Sequence, residues 1–204
     1  MRIVLTGTRA EPLFARLEAL GHDVVHVPLV RTEPVGDEPV EVAGYDWVVV
    51  TSVAGARELR RRLRGRPARV AAIGAATADA FGGADLVPRV SSQEGLLAEF
   101  PRPAGRVLFA GAEGARRLLV EELGADFVPL YRTVELGPDF PEGDLVVLQS
   151  ASAARALGAI GAEIPAVSIG PQTTRVAKAA GVRILAEART YDVEGLVEAC
   201  SSLS

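Results

Sequence analysis

The chain contains one internal repeat, and no other feature of the sequence restricts its fold as strongly. Five segments return in the same order about 100 positions later. The pairs are Arg2–Leu5 with Arg106–Phe109, Pro28–Thr32 with Pro129–Thr133, Tyr45–Ser52 with Asp144–Ser150, Val70–Thr77 with Ala166–Thr173, and Glu94–Leu96 with Glu194–Leu196. Arg31 and Arg132 are 101 positions apart and Gly74 and Gly170 are 96 apart, so the repeat keeps its register. A unit of this length is a usual size for a small domain.

Each copy of the repeat alternates short Val, Ile and Leu runs with longer amphipathic stretches. The short runs are typical of strands buried on both faces. The longer stretches predict helices over Glu11–Leu20, Gly55–Leu63, Thr77–Phe81 and Glu113–Leu123. Gly21 and Gly124 stand where a helix should end. The alternation predicts an α/β fold of parallel sheets covered by helices.

The composition is that of a soluble globular protein. Hydrophobic residues make up 49% and charged residues 24%, outside the disordered and membrane classes. The formal net charge of -4 argues against nucleic acid held by bulk electrostatics and leaves room for a local anion site. Met1–Leu5 is too short an apolar run for a signal peptide, and the single Cys200 has no disulfide partner, so we expect a cytoplasmic protein without membrane contact.

Small and hydroxyl-bearing residues follow the apolar runs. In open parallel sheets the ligand site lies outside the carboxyl ends of the strands. Six loops hold that position: Thr6–Arg9, Thr51–Ala54, Gly74–Thr77, Ala110–Glu113, Gln149–Ser152 and Gly170–Thr174. Such loops expose backbone N–H groups at helix N-termini, where carboxylates and phosphates are favoured. The same residues also serve as helix caps and tight turns for stability alone, and the pattern does not separate the two roles.

Several familiar catalytic motifs are missing from the sequence. It has no GxGxxG after a strand, no GxxxxGK[ST] and no HExxH, which disfavours nucleotide and zinc chemistry. His22 and His26 flank an apolar pair and do not supply a zinc ligand set. Cys200 has no basic neighbour that would activate a thiolate. The sequence thus carries no signature of nucleotide, zinc or thiolate chemistry.

The two copies of the repeat differ at Tyr131, which stands where the first copy has Val30. A phenol at this place indicates either a function kept by one copy or a packed rim residue whose hydroxyl is satisfied. Arg9, Arg31 and Arg132 are candidates to meet substrate carboxylates, although most surface arginines are merely solvated.

Taken together, the motifs resemble those of the uroporphyrinogen-III synthase family over almost the whole chain. The resemblance rests on their order: Thr51-Ser52 with Ala56, Ile73-Gly74 with Thr77-Ala78, Glu94-Gly95-Leu96, Tyr131-Arg132-Thr133, and Ile169-Gly170-Pro171 with Thr173. It implies two flavodoxin-like (Rossmann-like) domains with the substrate between them, joined by a two-stranded linker. It also implies exchanged blocks, with residues 1–33 and 136–204 in one domain and residues 36–133 in the other.

The resemblance further implies an activity. A member of this family cyclises hydroxymethylbilane, a linear tetrapyrrole with acetate and propionate arms, to uroporphyrinogen III, with loss of water and inversion of ring D. The resemblance implies that catalysis comes mainly from folding the substrate, and that no metal or cofactor is required. We expect the chain to be a monomer. Tyr131 matches the family's cleft tyrosine and is the catalytic candidate, as a hydrogen-bond donor to the departing hydroxyl. Ser52, Thr77, Ser150 and Thr173 match other family cleft hydroxyls, and with Arg9, Gly74, Gly111 and Gly170 of the strand-end loops they are the substrate-binding candidates. Gln149 and the arginine-free loop Ala110–Glu113 depart from the family pattern.

Two other functions compete with this interpretation. A non-catalytic sensor of an anionic metabolite would share the fold, but it would want a DNA-binding extension or a basic stripe. A receiver-like or flavodoxin-like signalling unit would need clustered acids or a flavin loop at the strand ends. The six strand-end loops carry no such acidic cluster.

Overall fold

The computed structural model describes residues 1–203, which form twelve strands and eight helices. The strands are β1 (Arg2–Leu5), β2 (Asp23–His26), β3 (Val30–Pro34), β4 (Val40–Glu41), β5 (Trp47–Val50), β6 (Leu63–Arg64), β7 (Val70–Ala72), β8 (Val107–Ala112), β9 (Asp126–Glu135), β10 (Leu145–Leu148), β11 (Ala166–Ser168) and β12 (Ile184–Glu187). The helices are α1 (Leu13–Ala19), α2 (Val53–Arg62), α3 (Ala75–Phe81), α4 (Gln93–Glu99), α5 (Leu118–Leu123), α6 (Ala151–Ile160), α7 (Pro171–Ala179) and α8 (Val193–Ser201). An α/β fold with parallel sheets is therefore confirmed.

The chain divides into two compact units. Unit 1 consists of Met1–Arg31 and the segment from Val134 onward, and unit 2 consists of Thr32–Thr133. The sheet of unit 1 has the order β12-β11-β10-β1-β2, and all four neighbouring pairs are parallel. If β1 is counted as the first strand of the unit, this is the order 2-1-3-4-5 of doubly wound α/β folds.

The sheet of unit 2 has the order β3-β9-β8-β5-β7. A parallel bridge from Ala71 to Leu86 continues it beyond β7. If β8 is counted first, then β9, β5, β7 and the Leu86 bridge follow, and the order is again 2-1-3-4-5. The two sheets thus have the same strand order. In each unit, the opening block of one copy of the repeat (β1-α1-β2 in unit 1, β8-α5-β9 in unit 2) lies beside the later blocks of the other copy.

Both faces of each sheet are buried under helices. On β1, Ile3 and Leu5 pack into one core of unit 1 and Val4 packs into the other, as the two-residue period of a strand requires. On β5, Val48 and Val49 likewise belong to the two different cores of unit 2. This is why the central strands read as continuous apolar runs instead of alternating ones.

One polar contact at the start of the central strands is the same in both units. Asp144 accepts the backbone N–H of Arg2 at 2.7 Å in unit 1, and Asp46 accepts that of Arg106 at 2.8 Å in unit 2. In each pair, the aspartate and the arginine stand at corresponding positions of the repeat. Each contact ties the start of one central strand to its neighbour.

The repeated Glu-Gly-Leu segment also makes the same contacts twice. Glu194 forms two hydrogen bonds with Arg16 at 2.6 and 2.8 Å, and Glu94 forms two with Arg116 at 2.7 and 3.1 Å. The leucine is 1% exposed or less in both copies. The segment is therefore a structural clamp, which holds α8 against α1 in unit 1 and α4 against the residues before α5 in unit 2.

One predicted helix and one predicted loop are wrong at the end of β8. The helix expected from Glu113 begins only at Leu118, and Ala110–Ala112 are part of the strand. The reason is the long neighbouring strand β9, which continues the ladder as far as Ala112 opposite Tyr131. Glu113 then donates its N–H to the carbonyl of Tyr131 at 2.8 Å. Within residues 1–203, no helix has both the length and the apolar character needed to cross a membrane.

Candidate active site

The best-formed candidate site lies in unit 2, where β5 and β8 are neighbours at the centre of the sheet. The chain runs outward in opposite directions from these two strands, and such a switch point is where α/β sheets bind ligands. Thr51 and Ser52 follow β5, and Gly111 lies near the end of β8. Tyr131 is on β9, the next strand along. The fold thus brings together three of the predicted site residues: Ser52, Gly111 and Tyr131.

Ser52 joins the helix to the tyrosine. It is the N-cap of α2, and its Oγ accepts the N–H of Gly55 at 2.9 Å. The same Oγ lies 2.8 Å from the hydroxyl oxygen of Tyr131. The tyrosine ring passes close to Gly55, where a Cβ would stand 3.5 Å from Cε1. That distance is ordinary van der Waals contact, so the tyrosine ring packs against the first turn of α2.

The environment of Tyr131 keeps its phenol protonated. Burial raises the pKa of Tyr131 above its ordinary value of 10.0, and the hydrogen bond with Ser52 opposes that rise. At neutral pH the side chain is therefore a hydrogen-bond donor and not a base. Its oxygen is held by one neighbour, which leaves a further hydrogen-bonding direction for a ligand.

Glycines shape the surroundings of this site. A Cβ on Gly111 would meet the ring of Phe109 at 3.0 Å and Thr51 Oγ1 at 3.8 Å. A Cβ on Gly74 would stand 2.9 Å from Ser91 Oγ. Gly74 is the N-cap of α3, and no side chain caps that helix. At both positions a neighbouring side chain already lies close to where a Cβ would stand, so local packing favours glycine there.

Two of the predicted contact residues are buried. Thr77 in α3 and Thr173 in α7 are each 5% exposed. Little of either side chain is accessible, and the contact of these two residues with substrate stays a prediction. The exposed residue among the predicted contacts of unit 1 is Arg9, which follows β1.

The corresponding place in unit 1, between β1 and β10, is filled by a glutamine. Gln149 stands where unit 2 has Thr51, and its Oε1 occupies the space that a Cβ of Gly7 would need. This amide oxygen is buried, and among residues 1–203 it has no hydrogen-bond partner. Thr6 is fully buried and donates to the carbonyl of Val147 at 2.7 Å. The strand ends here are packed, whereas those of unit 2 are lined by hydroxyls.

Ser150 repeats the capping role of Ser52 without the tyrosine. Its Oγ accepts the N–H of Ala153 at 3.2 Å as the N-cap of α6. Its hydroxyl lies 3.0 Å from Ser152 Oγ. The repeat partner of Tyr131 is Val30, which is 3% exposed. The two copies thus share the cap and differ in what the capping hydroxyl meets.

A hydrogen-bonded chain of two hydroxyls and a carboxylate lies near Gly170 and was not predicted from the sequence. Ser168 Oγ lies 2.5 Å from Thr174 Oγ1, and Thr174 donates to a carboxylate oxygen of Glu187. Gly170 itself lies under Tyr191, since a Cβ there would stand 2.8 Å from the ring. Ser168 ends β11, Thr174 is the fourth residue of α7, and Glu187 ends β12. No short motif spans them, and only the sheet order brings them together.

The remaining candidate residues contact other groups of the protein. His26 shares a hydrogen bond of 2.8 Å with the carbonyl of Gly7. Arg132 pairs with Glu33 at 3.0 Å. Cys200 is buried, which raises its pKa to about 12 and keeps the thiol protonated. Among residues 1–203, no group of three His, Cys, Asp or Glu side chains is placed to hold a metal ion.

A cavity of about 350 Å³ lies between β12 and α8. It is lined by Glu187, Arg189 and Glu198 together with small residues. Of the predicted site residues, it contains none. This cavity therefore does not coincide with the predicted site.

Solved structures of one class of enzyme share this fold. The crystal structure of uroporphyrinogen-III synthetase from Helicobacter pylori matches with a TM-score of 0.71 at 16% identity and covers 100% of both chains. A mutant uroporphyrinogen III synthase from Thermus thermophilus matches with a TM-score of 0.63 at 18% identity, covering 99% of this chain and 98% of that one. At these identities the likeness shows the fold alone.

Sequence comparison narrows the class to a family. The sequence model described as Uroporphyrinogen-III synthase HemD matches residues 11–198. A uroporphyrinogen-III synthase from Synechococcus elongatus is 26% identical over 236 aligned positions, which cover 93% of this chain and 89% of that protein. The chain belongs to the uroporphyrinogen-III synthase family. The resemblance inferred from the motifs is confirmed, and the sensor interpretation finds no support.

Proposed function

We propose that this chain is the enzyme that cyclises hydroxymethylbilane to uroporphyrinogen III, with inversion of ring D and loss of water. The observation that carries the proposal is the hydrogen-bonded pair of Ser52 and Tyr131 at the switch point of unit 2. Family membership supplies the reaction, and the pair supplies a protonated donor where a ligand is expected.

We assign the chain two flavodoxin-like domains, residues 1–33 with 136–204 and residues 36–133. The strand order 2-1-3-4-5 in both sheets supports this assignment. β3 and β9, which are neighbours in a sheet, are then the two strands of the linker. The assignment makes each domain a complete copy of the repeat after exchange of the opening blocks.

The substrate's carboxylates would be held at the strand-end loops. The helices α2, α6 and α7 have nine or ten residues each and begin at Ser52, Ser150 and Gly170. Their N-terminal N–H groups carry partial positive charge and favour anions. We place Gly74 and Thr77 of α3, Gly111 of β8, Thr173 of α7 and the exposed Arg9 in the same binding role. The partner is thus a small polycarboxylate.

The chemical steps ask little of the side chains. The terminal hydroxyl of the bilane leaves as the pyrrole nitrogen pushes electrons toward the carbon that bears it and loses its N–H proton, which forms an azafulvene. Tyr131 donates a hydrogen bond to the leaving oxygen, which departs as water with one proton gained for the one that the pyrrole nitrogen loses. Ring D then attacks the azafulvene carbon to form a spiro intermediate, which rearranges and closes the macrocycle. Holding the substrate in the folded geometry favours this route over simple closure. No metal or cofactor enters these steps.

The decisive experiment supplies freshly made hydroxymethylbilane to the purified chain and separates the oxidised porphyrin isomers. We expect isomer III in excess over a parallel incubation without protein, which gives isomer I by spontaneous closure. Isomer I alone in both tubes would show that the chain does not direct the rearrangement. A chain inactivated by heat is the matched control for contaminating catalysts.

We also propose that the enzyme works as a cytoplasmic monomer, without nucleic acid or membrane. The mild net charge of -4 and the buried, protonated Cys200 support this setting. Sedimentation at several protein concentrations tests the monomer, because a self-associating chain would sediment faster as its concentration rises.

A further inference from the structure

Gly55, Ser52 and Tyr131 form a hydrogen-bonded row that begins at α2, and each hydrogen bond in this row has one donor and one acceptor. The N–H of Gly55 points at Ser52 Oγ over 2.9 Å, and Ser52 Oγ lies 2.8 Å from the Tyr131 hydroxyl oxygen. Distances alone allow either hydroxyl to donate to the other. The two arrangements differ in where the phenol hydrogen points, which is either back at the helix or outward.

The position of α2 distinguishes the two arrangements. α2 has ten residues, and its N-terminus carries a partial positive charge. A phenol hydrogen aimed at that end would place positive against positive, whereas a phenol lone pair aimed there is attracted. Ser52 also accepts an N–H, and accepting one hydrogen bond makes a hydroxyl a better donor of the next. Both effects favour a row in which every donor points away from the helix.

We propose that Ser52 is a positioning residue that donates to Tyr131 and so turns the phenol hydrogen outward, toward the leaving hydroxyl of the substrate. This inference rests on the proposed function and adds a role that the family assignment does not supply. Ser52 touches Tyr131 and acts through it. Through the row Gly55, Ser52 and Tyr131, the partial positive charge at the N-terminus of α2 then favours the hydrogen bond from the phenol to the reacting oxygen.

The other copy of the repeat supports the specificity of this arrangement. Ser150 caps α6 in the same way, yet its neighbour is Ser152 and the position of Tyr131 is held by Val30. The same serine cap therefore has a structural role in unit 1. In unit 2 it gains a partner that can pass the hydrogen bond onward.

Three substitutions separate capping from positioning. Ser52→Ala removes both functions, Ser52→Thr keeps both, and Ser52→Asp keeps the cap but can only accept from Tyr131. We expect kcat at saturating hydroxymethylbilane to fall about five- to tenfold in the alanine and aspartate variants, the worth of one hydrogen bond. We expect the threonine variant to recover most of that loss. Wild-type kcat in Ser52→Asp would overturn the proposed direction.

The matched control is Ser92→Ala. Ser92 caps α4 of the same unit and accepts the N–H of Gly95 at 2.9 Å, the same geometry as Ser52 with Gly55. Its loss removes a serine cap without touching Tyr131. We expect its thermal midpoint to drop as in Ser52→Ala while kcat stays at the wild-type value. An equal fall of kcat in both variants would reduce Ser52 to a stability role.

A measurement without substrate keeps the inference apart from the proposed reaction. The chain has three tyrosines, so a Tyr45→Phe/Tyr191→Phe background leaves Tyr131 as the single phenol. Tyrosinate absorbance against pH should then show a higher pKa for Tyr131 after Ser52→Ala, because the bond that lowers it is lost. An unmoved titration would overturn the inference even in an active enzyme. Production of isomer I alone would overturn the function and leave this titration standing.

Discussion

Unit 1 and unit 2 are built from the same repeat, but the capping serine at the switch point meets a tyrosine in unit 2 and a second serine in unit 1. The scaffold contacts are common to both: the strand-start aspartates, the serine caps and the clamps of the Glu-Gly-Leu segments. The strand ends differ, with Tyr131 against Val30 and Thr51 against Gln149. Contacts that hold the fold have stayed symmetric, whereas the groups available for chemistry have not.

The comparison predicts its largest effect at Tyr131. Tyr131→Phe should lower turnover about 100-fold, the lower end of what a positioned proton donor contributes, with little change in stability. Tyr191→Phe and Tyr45→Phe are the matched controls for loss of a phenol. Rates of isomer III formation and thermal melts check both halves. Wild-type turnover in Tyr131→Phe would make this residue a packing group and remove the contrast between the units.

The same donor role predicts a pH dependence. Since burial raises the pKa of Tyr131 above 10.0, the phenol stays protonated throughout the neutral range. The part of kcat that is lost in Tyr131→Phe should therefore be constant with pH below about 10 and decline above it. The difference between the pH profiles of the two enzymes measures this part directly. A decline of that difference near neutrality would contradict a raised pKa.

The scaffold half of the comparison predicts equal effects in the two units. A Cβ on Gly95 or Gly195 would stand 3.0 Å from a backbone carbonyl carbon, of Val90 or Thr190 respectively. Backbone cannot swing aside, so alanine at either position should cost about 2–3 kcal/mol of unfolding free energy. Gly114→Ala is the control, because nothing lies within 4 Å of its Cβ position. Denaturant unfolding of the three variants checks this symmetry, and a large difference between the first two would break it.

The asymmetry at Gln149 predicts a smaller, coupled effect. Gly7→Ala should destabilise the chain by about 1–3 kcal/mol, because the new Cβ meets the amide of Gln149. Gln149→Thr, the residue that unit 2 carries, should remove most of that cost. A double-mutant cycle on unfolding free energies should give a coupling of about 1 kcal/mol or more. Additive costs would show that Gln149 is not what requires a glycine at position 7.

The smallest predicted effect concerns the two clamps. Arg16–Glu194 and Arg116–Glu94 are exposed pairs, so Glu194→Gln or Glu94→Gln should each cost less than about 1 kcal/mol, and less at high salt. Glu163→Gln, which neutralises an exposed acid in unit 1, is the control for charge alone. Unfolding at low and high salt checks the pairs. A cost several-fold larger in one unit would show that the clamps are not equivalent.

Much of the fold was predictable because its signals are local. The serine caps Ser52, Ser92 and Ser150 act on an N–H three residues away, so a short window contains them. The buried central strands appear as apolar runs for the same reason. The error at Gly111 arose where local signals stop, since the length of β8 depends on β9 and not on its own residues.

The sequence by itself determined the repeat, the α/β class, the order of strands and helices, and membership of the family. Only the tertiary structure decided that Ser52 meets Tyr131, 79 positions away, that Thr174 meets Glu187, and that Gln149 fills the space beside Gly7. The physical reason is that caps and periodicity depend on neighbours along the chain. The site depends instead on which strands lie side by side, and the whole sheet decides that.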